Sequence, residues 1–519
     1  MIIHLAAALV AAVSATSMQA DSALALRPTS YMLDLTVDHA KRELRGSATI
    51  VVRNVSTAPV RDASFLLYRL MRVSAVADSA GTPLAFRASI VEFEDHATLH
   101  VRHVVVRLRS PLAPGGSATV RLDYAGPLAG YTETGMLYIR DRVDTAFSIV
   151  REDANAYPTV RVPSHAVNGR SGLPAYDYHA RIRVPTGYTV ANGGRLVSAS
   201  TADGWTTFEF TNVKPAWRMD FAVARFNVRA QGGLRVYSLP EDSAGAVRVL
   251  DAMSRTLALY TRWFGPLRGS ADFALIEIPD GWGSQADVSS VLQTAAVFRD
   301  PRRQYELYHE LSHLWNVPFA DVPSPRWNEG LATFLEDITI DSLEGRMTTD
   351  KAADQTVLRL RDEVRARPTL GTVAPVDYGR ERMTGSAYTV PSVMFYVMYR
   401  LMGHDAFTRL IAEYYRQYGA SGATTRDFAS LASKLSPVPL DRLFDEWMFS
   451  ARWAGVIANT AAADLPARYR PGAAGGPEAT SSSSTQVVEA IERHQVPRAE
   501  AREAQRERRV AVGPSLAWP

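Results

Sequence analysis

His309-Glu310-Leu311-Ser312-His313 places two imidazoles four positions apart with a carboxylate beside the first. Residues i and i+4 share a face of a helix, so the two rings can close on one ion. Neutral imidazole suits Zn2+, and Glu310, next to a ligand, is placed to take a proton from an activated water. A catalytic zinc takes three protein ligands and keeps one position open. Trp327-Asn328-Glu329-Gly330 offers the third in Glu329, which opens a second helical pattern after a loop holding Pro318, Pro323 and Pro325. A helix, a turn and a returning helix can bring these segments face to face. Glu336, two turns further on the same face, can orient a ligand imidazole as an acceptor, or stand as an exposed helix charge.

The chain contains no cysteine, so disulfides, thiolate ligands and a cysteine nucleophile are excluded, and one metal ion must rest on His, Asp or Glu. Its 57 basic and 54 acidic residues leave a net charge of +3, which gives no electrostatic argument for nucleic acid or an anionic membrane. At 519 residues, 46% hydrophobic and 21% charged, most of the chain should fold, as two or three domains.

Residues 1–20 read as a secretory signal peptide: an Ala/Val/Leu run too short to span a bilayer, then small residues including Ser14, Ala15 and Ala20, though without a basic n-region. No other stretch reads as a membrane span. Export of a cysteine-free protein fits a bacterial envelope, periplasmic or extracellular setting. Tyr31, Leu33, Leu35 and Val37 alternate with polar residues, and the same period of two returns at Val120–Tyr124, Tyr178–Val184 and Phe208–Phe210, predicting an antiparallel β domain over 28–230. Three- and four-residue steps follow, from Val247 to Tyr260, ending at Phe264-Gly265-Pro266. A short strand is expected at Phe273–Ile278, and helices near 303–317, 328–341, 350–366, 391–402, 404–418 and 438–448. The fold class is thus α+β multidomain, with a mainly helical domain over 231–460. Residues 464–519, rich in Gly, Ala and Ser and then in charge, read as a disordered tail.

His309-Glu310-x-x-His313-x-Trp315 together with Trp327-Asn328-Glu329-Gly330 resembles the aminopeptidase N and leukotriene hydrolase family of zinc peptidases. Leu44-x-Gly46 between two strands resembles the start of that family's first domain, and the resemblance runs from about Thr29 to Ala454. It implies a β domain followed by a thermolysin-like catalytic domain, one Zn2+ and a peptide substrate. It also implies a catalytic tyrosine ahead of a hydrophobic helix, where Tyr388 stands; Tyr388 as a packing residue is the competing reading.

The chain departs from the family in three places. Residues 314–328 separate His313 from Glu329, where the family usually has 18 residues; a shorter loop costs little and need not move the ligands. The family's Gly-x-Met-Glu-Asn strand, whose glutamate binds the substrate's α-amine, reads Gly283-Ser284-Gln285-Ala286-Asp287 here. Ala286 replaces the glutamate and leaves Asp287, Gln285 and, from the β domain, Glu152 or Asp153 as polar candidates; both carboxylates also read as ordinary loop residues. Most of the family's C-terminal helical domain is missing, which predicts a more open cleft. The reading is a zinc metallopeptidase, most simply an aminopeptidase. An endopeptidase, a glycyl-aminopeptidase-like enzyme, to which His313-Leu314-Trp315-Asn316 is also similar, and a non-catalytic peptide-binding envelope protein are the alternatives. The sequence does not fix the oligomeric state.

Overall fold

The alternation of Tyr31, Leu33, Leu35 and Val37 becomes one buried face of the strand Leu26–Asp38, with the intervening Met32 and Asp34 exposed. The computed structural model describes residues 23–130, 141–269, 272–346, 349–381, 383 and 385–472. The segment read as a signal peptide and most of the expected tail lie outside the described residues. The chain divides into two units, up to Phe226 and from Asn227.

In the first unit a seven-stranded sheet runs Arg195–Ala202, Trp205–Thr211, Asp177–Pro185, Leu26–Asp38, Glu43–Asn54, Ser117–Pro127 and Arg72–Ala77. Its pairings are antiparallel except that Leu26–Asp38 lies parallel to Asp177–Pro185, with Tyr31 opposite Tyr178. A wholly antiparallel sheet was the expectation; a parallel neighbour this distant in sequence leaves no short-range turn signal to read.

The second unit begins with a five-stranded sheet in the order Asn227–Gln231, Leu234–Ser238, Phe273–Ile278, Ser290–Thr294, Gln285–Ala286, so Gln285–Ala286 is an edge strand. Helix α1, Ala246–Phe264, packs Val249, Leu250, Met253, Tyr260 and Phe264 into the core and stops at Gly265, whose φ of 86° is open to glycine without strain. Three further helices carry His309, Glu329 and Tyr388 in turn: α2 (Gln304–Ser312), α3 (Asn328–Leu343) and α4 (Ser386–Met402). The α-helical turns of α2 end at Ser312 and pass into a 3-10 turn, His313–Trp315, closed where Trp315 Nε1 donates to the Gly265 carbonyl at 3.0 Å. The continuous helix expected to residue 317 is therefore shorter.

The expected helix 391–402 instead begins at Ser386 and encloses Pro391. Proline has no N–H for the Ala387 carbonyl, and that weakened turn lies against α3. A Cβ built on Gly330 would lie 2.7 Å from Pro391 Cβ and 2.9 Å from the Ala387 carbonyl oxygen, so only glycine lets α3 approach α4 this closely. Ala462–Tyr469 is a 3-10 helix with Leu465 and Tyr469 buried, and the Tyr469 hydroxyl donates to Glu446 at 2.7 Å. Packed structure thus continues several residues into the segment read as tail. Among the described residues no helix is long and apolar enough to cross a membrane.

Candidate metal centre

Helix α2 carries His309 on its last turn, and the 3-10 turn behind it carries His313, so the i, i+4 spacing survives the change of helix type. Their rings sit 5.0 Å apart, nearly perpendicular. Helix α3 brings Glu329 to them in its first turn. That helix is anchored by Trp327, which is buried between Phe319 and Phe428 with centroids at 5.0 and 4.7 Å and whose indole N–H donates to Thr425 Oγ1 at 3.0 Å. Burying such a ring stabilises the turn by on the order of 2–3 kcal/mol and sets where the helix starts.

One oxygen, Glu329 Oε2, lies 3.6 Å from His309 Nε2 and 3.3 Å from His313 Nε2. Ligands about 2.1 Å from a tetrahedral zinc stand about 3.4 Å from one another, so the two separations that meet at Glu329 Oε2 match edges of that tetrahedron. Among the described residues, His309, His313 and Glu329 are the group able to hold a metal ion, with candidate ligand atoms all within 4.8 Å of one another. The electrostatics agree. Burial pulls His309 down, but its contacts with Glu329 and Glu336 outweigh burial and hold the imidazole up to about 10. Burial pushes Glu329 up, yet His313, His309 and Arg326 keep its carboxylate well below the ordinary range. The centre is built around a positive charge, which a divalent cation supplies.

Glu336 is buried, not an exposed helix charge, and its Oε2 lies 3.6 Å from His309 Nδ1 on the side of the ring away from Glu329. A carboxylate there orients the ring and raises its basicity. Glu336→Gln should therefore weaken zinc binding by about 10–100-fold, measured by competition against a chromophoric chelator.

Sequence reasoning missed the partner of the other ring: the Asn316 side-chain amide lies 2.8 Å from His313 Nδ1 and fixes that imidazole from behind. Its signal was present, an amide three residues beyond a ligand on the same turn.

Glu310 is half-buried beside the centre and takes a hydrogen bond from the Ala286 backbone on the edge strand. Burial raises its carboxyl above the usual range, against the pull of His309 and His313. Tyr388, in the first turn of α4, stacks on His309 with centroids 5.8 Å apart and planes at 17°. Burial and the charge of Glu329 raise its phenol well above the ordinary value, which keeps it a hydrogen-bond donor.

Gln285 and Asp287 flank Ala286 on and after the edge strand. Strand alternation turns Gln285 to the face opposite Ala286. Asp287 sits in the turn after that strand, where its backbone N–H donates to the Ser290 carbonyl at 2.7 Å and its carboxylate accepts the Val288 N–H at 2.5 Å. Glu152, in the β unit, accepts from Arg161 Nη2 at 2.5 Å, and Asp153 binds Arg151 and Arg218, each at 2.6 Å.

No family model matches this chain. It is similar to two rice (Oryza sativa subsp. japonica) proteins, Aminopeptidase M1-A, 23% identical over 234 residues, 41% of this chain, and Aminopeptidase M1-D, 20% identical over 316 residues, 54% of this chain. It spans only 26% and 36% of those relatives' length. Among solved structures, an M1 zinc metallopeptidase from Deinococcus radiodurans superposes with a TM-score of 0.61 at 19% identity, covering 82% of this chain and 95% of that one. A variant of that metallopeptidase bound to a Tyr-Ser-Ala substrate gives 0.59 at 19% identity, covering 82% and 94%.

Proposed function

We propose that this chain, which has the fold of the M1 zinc metallopeptidases and resembles the aminopeptidase N family, is a zinc-dependent peptidase that removes N-terminal residues from peptides. The observation that carries the reading is that Glu329 Oε2 stands 3.6 Å from His309 Nε2 and 3.3 Å from His313 Nε2, two separations that fit edges of a zinc tetrahedron, with Glu310 beside them. Bound there, zinc makes water a nucleophile near neutral pH and polarises a carbonyl.

The protein's own residues supply the rest. Glu310 takes a proton from the attacking water as oxygen bonds to the scissile carbonyl carbon. It holds that proton on its carboxyl and passes it to the leaving nitrogen as the C–N bond breaks. The Ala286 N–H keeps the carboxylate aimed during both transfers. Tyr388 donates its O–H to the carbonyl oxygen as negative charge builds there. The stacking of Tyr388 on His309, and the close passage of α4 over Gly330, support that placement.

The test is cleavage of paired fluorogenic peptides, free and N-acetylated, before and after chelation and zinc restoration. Chelator-sensitive cleavage of the free peptides alone is the expected result. Equal cleavage of both would overturn the aminopeptidase specificity in favour of an endopeptidase, and stoichiometric zinc without cleavage of either would overturn the enzyme.

A further inference from the structure

Resting on the zinc-peptidase reading, we infer that Arg326 is a positioning residue that divides the two oxygens of Glu329, holding Oε1 away so that Oε2 alone faces the two imidazoles. Arg326 Nη2 lies 3.3 Å from Glu329 Oε1, while Oε2 is the atom 3.3 Å from His313 Nε2 and 3.6 Å from His309 Nε2. Without that restraint a carboxylate rotates about its last torsion, and either oxygen, or both, can meet a cation.

The backbone is shaped for the contact. Arg326 adopts φ 58°, a left-handed conformation that a residue with a long side chain rarely takes. It is held there from both sides: Pro325 is buried before it, and Trp327 is locked into the aromatic core after it. The Arg326 carbonyl accepts the Glu329 N–H at 3.1 Å, and the guanidinium folds back over the same turn to the carboxylate. Strain that persists in a non-glycine residue beside a functional group is commonly retained for what the side chain does there. Zinc ligands are usually oriented by neutral or anionic partners; a cation beside a ligand opposes the metal's charge, so it is retained only if orientation outweighs that repulsion.

This opposition makes the test decisive in sign. Arg326→Gln removes the charge and, being shorter, the reach to Glu329 Oε1, and Arg326→Lys keeps the charge but removes the planar fork. If Arg326 acted only as a nearby charge, Arg326→Gln would bind zinc more tightly and Arg326→Lys would match the parent. If it positions Glu329, Arg326→Gln binds zinc about 10–100-fold more weakly by chelator competition, and Arg326→Lys recovers part of the loss. The visible absorption of the Co2+-substituted protein, which reports ligand geometry apart from turnover, should change in Arg326→Gln. An unchanged spectrum with zinc binding equal to or tighter than the parent overturns the inference and leaves the peptidase reading standing. A parent chain that binds no zinc overturns both. Arg326→Gly, which accepts φ 58° without strain, guards against a folding defect: it should show the same weakened binding.

Discussion

Replacing Glu310 with glutamine lowers kcat/KM by about two to four orders of magnitude, the range that a positioned general base contributes, while one zinc ion stays bound per chain. Glutamine keeps the shape and can still meet the Ala286 N–H through its carbonyl, so the local structure has no reason to move. It cannot accept a proton. Because the pathway uses the same carboxyl twice, first as base and then as acid, the loss should appear in kcat rather than in KM. Burial raises the affinity of Glu310 for protons, against the opposing pull of His309 and His313. Steady-state kinetics with metal analysis on the same preparation checks this. Full activity in Glu310→Gln would remove the mechanism while leaving the metal centre intact.

The second large effect lies in the β unit, in a buried network of charges. Arg151 and Arg218 have no exposed side-chain surface, and they are bridged by Asp153 Oδ2 at 2.6 Å to each. Arg151 also pairs with Asp141 at 2.8 Å, and Arg218 with Asp220 at 2.7 Å. Burial pushes Asp141 up to about 7 and raises Asp220, while burial of Asp153 is outweighed by Arg218 and Arg151, which lower it. Arg218→Ala leaves Asp153 sharing Arg151 with Asp141, and Asp220 without its nearest counter-charge. Removing one member of a buried ion group in this way costs about 3–5 kcal/mol of stability. Urea unfolding followed in the β unit measures it, and a loss below about 1 kcal/mol would contradict the network's role.

The loss should also depend on pH with a definite sign. In the variant the uncompensated carboxylates gain by binding protons, so the difference from the parent is largest at pH 8 and shrinks toward pH 5. A network that merely decorates the fold would show no such slope.

Much of the centre was legible because it is local. The spacing of His309 and His313 is one helical turn, and a turn is a property of neighbouring residues. Glu329 was legible because two imidazoles need a third ligand and Trp327-Asn328-Glu329-Gly330 opens a second helical pattern; the structure adds the aromatic core that anchors Trp327 and the close approach of α4 to Gly330. The alternation around Tyr31 marked a half-buried strand, but nothing in it named Asp177–Pro185 as a parallel neighbour. The helix Thr425–Leu435 was not foreseen, although Thr424 and Asp427 form a reciprocal cap. Pro391 read as a helix start and proved to be an interior residue, because packing against Gly330 tolerates the broken turn.

By itself the sequence determined which residue types could hold a zinc ion and which carboxylate could serve it, since periodicity and residue chemistry travel with the chain. Only the tertiary structure decided how those groups are aimed: that Glu336 backs His309 and Asn316 backs His313, that the Ala286 N–H steadies Glu310, and that Arg326 claims one oxygen of Glu329. Aim depends on where loops and helices from separate parts of the chain come to rest, and the packing that sets those positions has no period to be read.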